Sequence, residues 1–223
     1  MNKKLFCIIC FLWPLLAYSQ KYHSFRPGEL WLDNNGVHIN AHGGGGFIFY
    51  NNKYYWFGEH KIEGEKGNYA QVGVHCYSSS DLYNWNDEGI ALKVSSEPNS
   101  DIAQGCILER PKVIYNPNTK KFVMWFHLEP KGKGYTGALS GIATANKITG
   151  PYTFIKSTRT TPGCYPVNVL DLHKCPVKQS TIDKKLYGGG LNGEHPDTLN
   201  ILGRDFKEGQ MARDMQLFVD DNG

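Results

Sequence analysis

The chain has little that would suit it to a membrane or to nucleic acid. Its one long apolar run is Leu5–Leu16, and no later segment of the 223 residues could span a bilayer. The charges nearly balance, with 24 Lys and Arg against 21 Asp and Glu. Loss of the first 19 residues would remove two lysines and no acid, which leaves 22 against 21. A near-neutral chain gives no electrostatic argument for binding nucleic acid.

Motifs of several common enzyme classes are also absent. Ser140 is not a nucleophile elbow, because the pattern Gly-x-Ser-x-Gly does not occur. The glycine-rich runs 43–46 and 130–134 lack the Lys-Ser/Thr that ends a phosphate-binding loop. His38 and His42 are four residues apart, but no helix and no following Glu completes a metalloprotease pattern. We therefore favour a buried histidine at a pocket wall over a zinc ligand, with a metal-dependent hydrolase as a weaker alternative.

The first residues have the pattern of a secretory signal peptide. Lys3 and Lys4 precede the apolar run, and Ala17-Tyr-Ser19 offers small residues where a signal peptidase cuts. We expect residues 1–19 to be removed, with cleavage near Ser19, and the protein to be secreted or periplasmic.

Four of the six cysteines lie outside this signal. Cys164 and Cys175 bracket a short loop and could pair in an oxidising compartment. Cys76 and Cys106 lie in apolar strand-like stretches, where buried thiols are at least as plausible as a bridge.

Aromatic residues and turns favour an all-β fold. The chain has 13 Tyr, 11 Phe and 5 Trp, few long helical patterns, and many turns among its 25 Gly and 11 Pro. Two units with the same plan of hairpin, third strand and fourth strand follow one another, and Tyr50 and Tyr115 occupy equivalent places 65 residues apart. The predicted strands include 47–50, 54–57, 72–78, 90–94, 113–115, 122–126 and 140–145.

A four-strand unit repeated at this spacing is typical of a β-propeller blade. A third unit opens at Ala212–Gly223 and reaches only its hairpin turn, after an irregular insertion at about residues 157–210. Propellers need about four to eight blades to close. We therefore expect residues 20–223 to be the N-terminal part of a propeller domain, holding two blades and the start of the third. The glycines 43–46 would let the backbone approach the propeller axis closely.

These motifs together resemble glycoside hydrolase family 43. The resemblance is carried by Ile39-Asn-Ala-His-Gly-Gly-Gly45, by Glu109-Arg-Pro-Lys-Val-Ile-Tyr-Asn116 and by Arg213-Asp-Met-Gln-Leu-Phe-Val-Asp-Asp-Asn-Gly223, and it covers roughly residues 27–156 and 211–223. Within the family, the chain is most similar to the exo-β-1,3-galactanase-like branch. The resemblance implies a five-bladed β-propeller and a secreted, exo-acting glycosidase that hydrolyses O-glycosyl bonds of β-galactan or a related glycan with inversion.

An inverting reaction needs a general acid and a base on opposite faces of the sugar, about 6.5–9.5 Å apart. In the family, an Asp that opens the first blade usually acts as the general base. Asn40-Ala-His42 stands in its place here. The galactanase-like branch shares this departure, and a residue of a later blade is thought to act as its base. Asp214 matches the residue that modulates the pKa of the acid, and Glu109 matches a pocket-lining Glu. The acid itself would come from a fourth blade, so we expect this fragment to be inactive alone.

The resemblance implies an oligo- or polysaccharide partner, no nucleic acid and no required cofactor, with structural calcium as an option. The residues expected to touch the sugar are Asn40, His42, Glu59, Glu109, Arg110, His127 and Asp214. Two simpler interpretations stay open: Glu109 and Arg110 as a solvated strand-end pair, and Asp214 as a salt-bridge partner of Arg213. The alternative function is a non-catalytic glycan-binding propeller.

Overall fold

A computed structural model describes residues 21–175 and 205–221. These residues form two four-stranded antiparallel sheets and two 3-10 turns, at Glu65–Asn68 and Asp171–His173. The first sheet contains β1 (Ile48–Tyr50), β2 (Lys53–His60), β3 (Gly73–Ser79) and β4 (Asn86–Lys93). The second contains β5 (Ile107–Asn116), β6 (Lys121–Glu129), β7 (Leu139–Ala145) and β8 (Thr153–Thr158). The strands follow chain order in both sheets, which confirms the predicted all-β plan of two blades.

Tight hairpins open both sheets. Asn51 and Asn52 form a two-residue turn with φ of 49° and 60°, a left-handed conformation that Asn tolerates. Tyr50 pairs with Lys53 across this turn, and Asn116 pairs with Lys121 across the longer second one. The two hairpins then lie side by side, since the rings of Tyr50 and Tyr115 are 5.8 Å apart. Residues predicted to be equivalent along the sequence are therefore neighbours in space.

The main core lies between the two sheets. Apolar side chains of both contribute to it, among them Phe57, Val74, Met124, Phe126 and Leu128, all no more than 3% exposed. Burial of this apolar area is the main stabilising contribution to the fold. A second cluster covers the other face of the first sheet, where the entry segment packs Trp31 against Trp56 and Trp85.

Two elements differ from the sequence prediction. Residues 87–89, predicted as a turn, lie inside β4. Gly89 has a φ of 83° there, and the pairing of β4 with β3 shifts in register, so these residues form an irregularity of the strand and not a turn. The third opening, predicted at Ala212–Gly223 with one strand and a turn, contains no strand in its described residues 212–221.

Several further expectations concern the ends, the insertion and the cysteines. The predicted signal, residues 1–19, and most of the insertion, 176–204, lie outside the described residues. Cys164 is an exposed free thiol, so a bridge to Cys175 is not formed, while Cys76 and Cys106 are buried thiols as expected. None of the helices in 21–175 and 205–221 is long and apolar enough to cross a membrane.

Candidate active site

A polar cleft lined by residues of both sheets encloses about 330 Å³. It lies beside the end of β2, which carries Glu59, and the paired ends of β5 and β6, which carry Glu109 and His127. It is lined by His42, Glu59, Glu109, Arg110, His127, Tyr135, Arg213 and Asp214. Six of the seven residues predicted to contact a sugar are in this group, and Asn40 is not.

A β-bulge in β5 lets Glu109 and Arg110 both line the cleft. Glu109 pairs with His127, but the register then shifts, and the next pair joins Lys112 to Trp125. Arg110 takes φ of 55°, which is uncommon for a residue with a side chain. Successive side chains of a regular strand point to opposite faces, so the bulge is what brings these two together.

Glu59 of the first sheet is buried and connects it to the second sheet by a hydrogen bond. Its side chain is 4% exposed, and its carboxylate accepts the Arg110 backbone N–H at 3.1 Å. The same carboxylate pairs with Lys61 Nζ at 2.7 Å and with His42 Nδ1 at 3.3 Å. With these partners, Glu59 holds the bulge and the cleft wall in place.

Asn40 holds the backbone of Lys61 and does not line the cleft, contrary to the prediction. Its amide nitrogen donates to the Lys61 carbonyl at 2.7 Å, and its oxygen accepts the Lys61 N–H at 2.8 Å. Both ends of the side chain are thus committed to the backbone of the residue that pairs with Glu59.

Glu109 accepts two hydrogen bonds, one at each carboxylate oxygen. Tyr135 donates its hydroxyl at 2.7 Å, and His127 Nδ1 lies 3.0 Å from the other oxygen. Burial opposes ionisation of Glu109, but these two hydrogen bonds outweigh it and hold the pKa of the carboxyl below its usual value. Glu109 is therefore ionised at neutral pH, and it is not a solvated strand-end charge.

His127 lies beneath Glu109, where it is 1% exposed, and a sugar could not rest on it. Its second ring nitrogen is 2.9 Å from Glu129, a carboxylate with no exposed surface. Burial disfavours the charged ring, but hydrogen bonds to Glu109 and Glu129 outweigh that effect and raise the pKa of His127. His127 belongs to the cleft lining, but both of its ring nitrogens are engaged by carboxylates, so we expect it to act on a ligand through Glu109 and not by direct contact.

Asp214 lies across the cleft and pairs with Arg110, with Nε and Oδ1 3.3 Å apart. Both side chains are accessible, at 71% and 49% exposed. Arg213 does not pair with Asp214 but donates to the Tyr135 carbonyl, and its guanidinium lies 5.8 Å from the centroid of the Tyr135 ring. The buried Arg213 Nε has no hydrogen-bond partner among the described residues.

The histidines of the predicted motif do not form a metal site in the described part of the chain. His42 is at the rim, with its side chain 65% exposed, so the prediction that it is buried was wrong. His38 is also exposed and does not line the cleft. No group of three or more His, Cys, Asp or Glu in residues 21–175 and 205–221 could hold a metal ion.

Sequence reasoning missed Tyr135, Lys61 and Glu129. Tyr135 lies in a Gly-rich connection, where sequence alone gives no sign of which way a side chain points. Glu129 has a detectable signal, because a charged residue ends an otherwise apolar strand two residues after His127, and residues two apart share a face.

Comparison with solved structures finds galactosidases and galactanases, among them members of glycoside hydrolase family 43 (GH43). No family model and no curated relative matches the chain. A GH43 β-1,3-galactosidase solved with galactodeoxynojirimycin is 49% identical, with a TM-score of 0.75 over 88% of this chain and 56% of that one.

Two exo-β-1,3-galactanases also match. The enzyme from Phanerochaete chrysosporium, solved with galactose, is 37% identical over 58% of this chain and 29% of its own, with a TM-score of 0.51. The enzyme from Clostridium thermocellum is 36% identical over 64% and 29%, with a TM-score of 0.53. The chain thus spans about half, or less, of the length of these relatives.

Proposed function

This chain belongs to glycoside hydrolase family 43, and on that premise we propose that the protein is an exo-acting glycosidase that releases galactose from β-1,3-linked galactan. The observation that carries the proposal is the convergence of Glu109, Arg110 and Asp214 in one polar cleft between two propeller blades. The similar proteins that act on β-1,3-galactosides make galactan the substrate class to test first.

The cleft offers groups of the kinds that sugar hydroxyls require. Glu109 is an ionised acceptor with one protein hydrogen bond at each oxygen, so lone pairs of both oxygens remain. Arg110 and Arg213 bring guanidinium donors to the same cleft. Charge-assisted hydrogen bonds of this kind are about twice as strong as neutral ones, which favours a polar ligand here.

Asp214 has a different role in this proposal. It would lie near the general acid and raise its pKa through like-charge repulsion, while Arg110 keeps Asp214 itself in position. Hydrolysis with inversion, the general acid and its source belong to the proposed activity of the whole protein. Secretion is likewise a proposal, which rests on the pattern of residues 1–19.

Binding of β-1,3-galactobiose, followed by calorimetry, tests the site. We expect Glu109→Gln to weaken binding about ten- to a hundredfold, because charged hydrogen bonds to hydroxyls are lost. Tyr152→Phe is the matched control, since it removes a buried hydroxyl that donates to the Ile148 carbonyl, and neither residue lines the cleft. Equal binding by the protein and its Glu109→Gln variant would refute the proposed site.

A parallel assay separates the enzyme from the glycan-binding alternative. The assay uses the whole protein, which would supply the general acid. Release of galactose from β-1,3-galactotriose by the whole protein, lost in Asp214→Asn and Glu109→Gln, supports the glycosidase. Binding by the whole protein without any release of galactose would support a non-catalytic sugar-binding protein.

A further inference from the structure

A buried histidine between two carboxylates is the feature of this cleft that the proposed reaction does not use directly. His127 Nδ1 is 3.0 Å from Glu109, and His127 Nε2 is 2.9 Å from Glu129. His127 is 1% exposed and Glu129 is 0% exposed, so water does not compete for the hydrogen bonds between them. The other oxygen of Glu129 accepts the Ala138 backbone N–H at 2.9 Å, which fixes the carboxylate on the far side.

The ring places one nitrogen against each of two carboxyl oxygens. A neutral imidazole has one N–H donor and one lone pair, so it can donate to only one of these oxygens, and the second contact would then need a proton on the carboxyl group. A doubly protonated ring donates to both oxygens, and the raised pKa of His127 favours this arrangement. A buried charge is tolerated only when it is paired and hydrogen-bonded, and here each nitrogen has its own carboxylate.

Within residues 21–175 and 205–221, both hydrogen-bond partners of the ring are carboxyl groups, and the cations Arg110 and Arg213 lie in the lining of the same cleft. Strand β5 contributes Glu109, β6 contributes Glu129, and β7 places the uncharged Ser140 opposite His127. The Tyr135 ring lies 6.0 Å from the imidazole, and its hydroxyl is already donated to Glu109. Lys61, on the side of the first sheet, acts on Glu109 and favours its ionised form.

We propose that Glu129 and His127 form a buried positioning pair that holds Glu109 ionised and oriented as an acceptor for two sugar hydroxyls. Glu129 keeps the proton on His127, and His127 directs one oxygen of Glu109 while Tyr135 directs the other. The remaining lone pairs of Glu109 are then available to the ligand. This inference rests on the proposed function for the identity of the ligand, but the charge of His127 does not depend on it.

The direction in which sugar binding depends on pH follows from the charges of His127 and Glu109. The pKa of His127 is raised above 6.5, so its charge is fully present below that value and is lost as pH rises through the higher, folded-state pKa. The pKa of Glu109 is lowered below 4.5, so its charge is lost only as pH falls through that lower value. Binding of a neutral sugar should therefore weaken on the alkaline side when His127 loses its proton.

Two measurements test the pair. Nitrogen NMR of the histidine-labelled protein should show both His127 ring nitrogens protonated at pH 7, where an ordinary histidine is mostly neutral. Calorimetry with β-1,3-galactobiose across pH 5–9 should then show that binding is lost at a pH lower by about one unit or more in Glu129→Gln than in the unmutated protein. Tyr152→Phe, which loses a buried hydrogen bond elsewhere, should lose binding at the same pH as the unmutated protein.

The outcomes are distinguishable. A neutral His127 ring at pH 7, or loss of binding at the same pH in Glu129→Gln and the unmutated protein, would overturn the positioning pair. The NMR result on the unmutated protein decides the matter even if Glu129→Gln fails to fold. A doubly protonated His127 in a protein that binds no galactobiose at any pH would support the pair and refute the proposed ligand instead.

Discussion

Gly58 shows how closely two segments approach one another behind the cleft. A Cβ added there would lie 2.2 Å from the backbone of Ala41, well inside the contact distance of two carbon atoms. The next residue, Glu59, exchanges backbone hydrogen bonds with His42, at 3.1 and 2.8 Å. The absence of a side chain at Gly58 therefore lets the segment around His42 lie against β2 and places Glu59 beside the cleft.

The first prediction tests this close approach. We expect Gly58→Ala to lower the free energy of unfolding by more than about 3 kcal/mol, because backbone atoms cannot move aside as a flexible side chain can. Gly45→Ala is the matched control in the neighbouring loop, where a Cβ would meet nothing within 4 Å. Urea denaturation measures both, and equal midpoints for the two variants would contradict the close packing.

Six of the seven site residues predicted from the sequence line the cleft, but the sequence did not show which of them face a ligand and which support the wall. Glu109 and Arg110 were recognisable as consecutive polar residues at a strand mouth, and both line the cleft. The roles of Asn40 and His127 were not, because hydrogen bonds to Lys61 and Glu129 decide them, and those contacts depend on the fold. Residue type indicated a polar site, but only the tertiary structure separates residues that face the cleft from residues that support it.

At the scale of elements, the connection at residues 130–138 is held by an unusual set of contacts. Arg159 donates to the carbonyls of Thr136 and Gly137, both at 2.9 Å, and Ala212 N–H donates to the Ala138 carbonyl at 3.1 Å. Arg213 donates to the carbonyl of Tyr135. Four consecutive carbonyls are thus satisfied from outside the loop, which keeps the Tyr135 hydroxyl on Glu109.

The second prediction concerns this loop. Replacing Arg159 by Met removes both carbonyl contacts and the pair with Asp205, so we expect a loss of about 1–3 kcal/mol in the free energy of unfolding. Hydrogen exchange at amides 135–138 should quicken, and galactobiose binding should weaken as Tyr135 loosens. Arg26→Met, which removes an exposed pair with Glu29 and a contact with the Tyr22 ring, both away from this loop, should change none of these. Unchanged exchange in Arg159→Met would show that other contacts hold the loop.

The strands were more predictable than their irregularities. Alternating aromatic and β-branched residues marked most strands, and the pairing of consecutive strands follows from their short connections. The bulge at Arg110 had no local signal, since it depends on a left-handed arginine held by Glu59 from another sheet. The same limit applies to β4, where a Gly at positive φ was interpreted as a turn and proved to be part of a strand.

At the scale of the whole molecule, the cleft exists because two blades pack face to face. Side chains from both sheets fill the core between them, and the inner segments of each sheet carry the polar residues at its end. His42 faces Glu59 in the first sheet, and Glu109 faces His127 in the second, so the same cross-strand pair recurs with acid and base exchanged. The described residues alone bring five carboxylates and arginines to this site: Glu59, Glu109, Arg110, Arg213 and Asp214.

The central claim, that this cleft holds the terminal galactose, is tested most directly by a crystal structure with β-1,3-galactobiose. The account predicts electron density for one galactosyl unit within hydrogen-bonding distance of Glu109 and Arg110, with no direct contact to His127 or Asn40. Density for the sugar elsewhere, such as the aromatic hollow formed by Phe25, Trp31 and Tyr83, with none at Glu109, would contradict it.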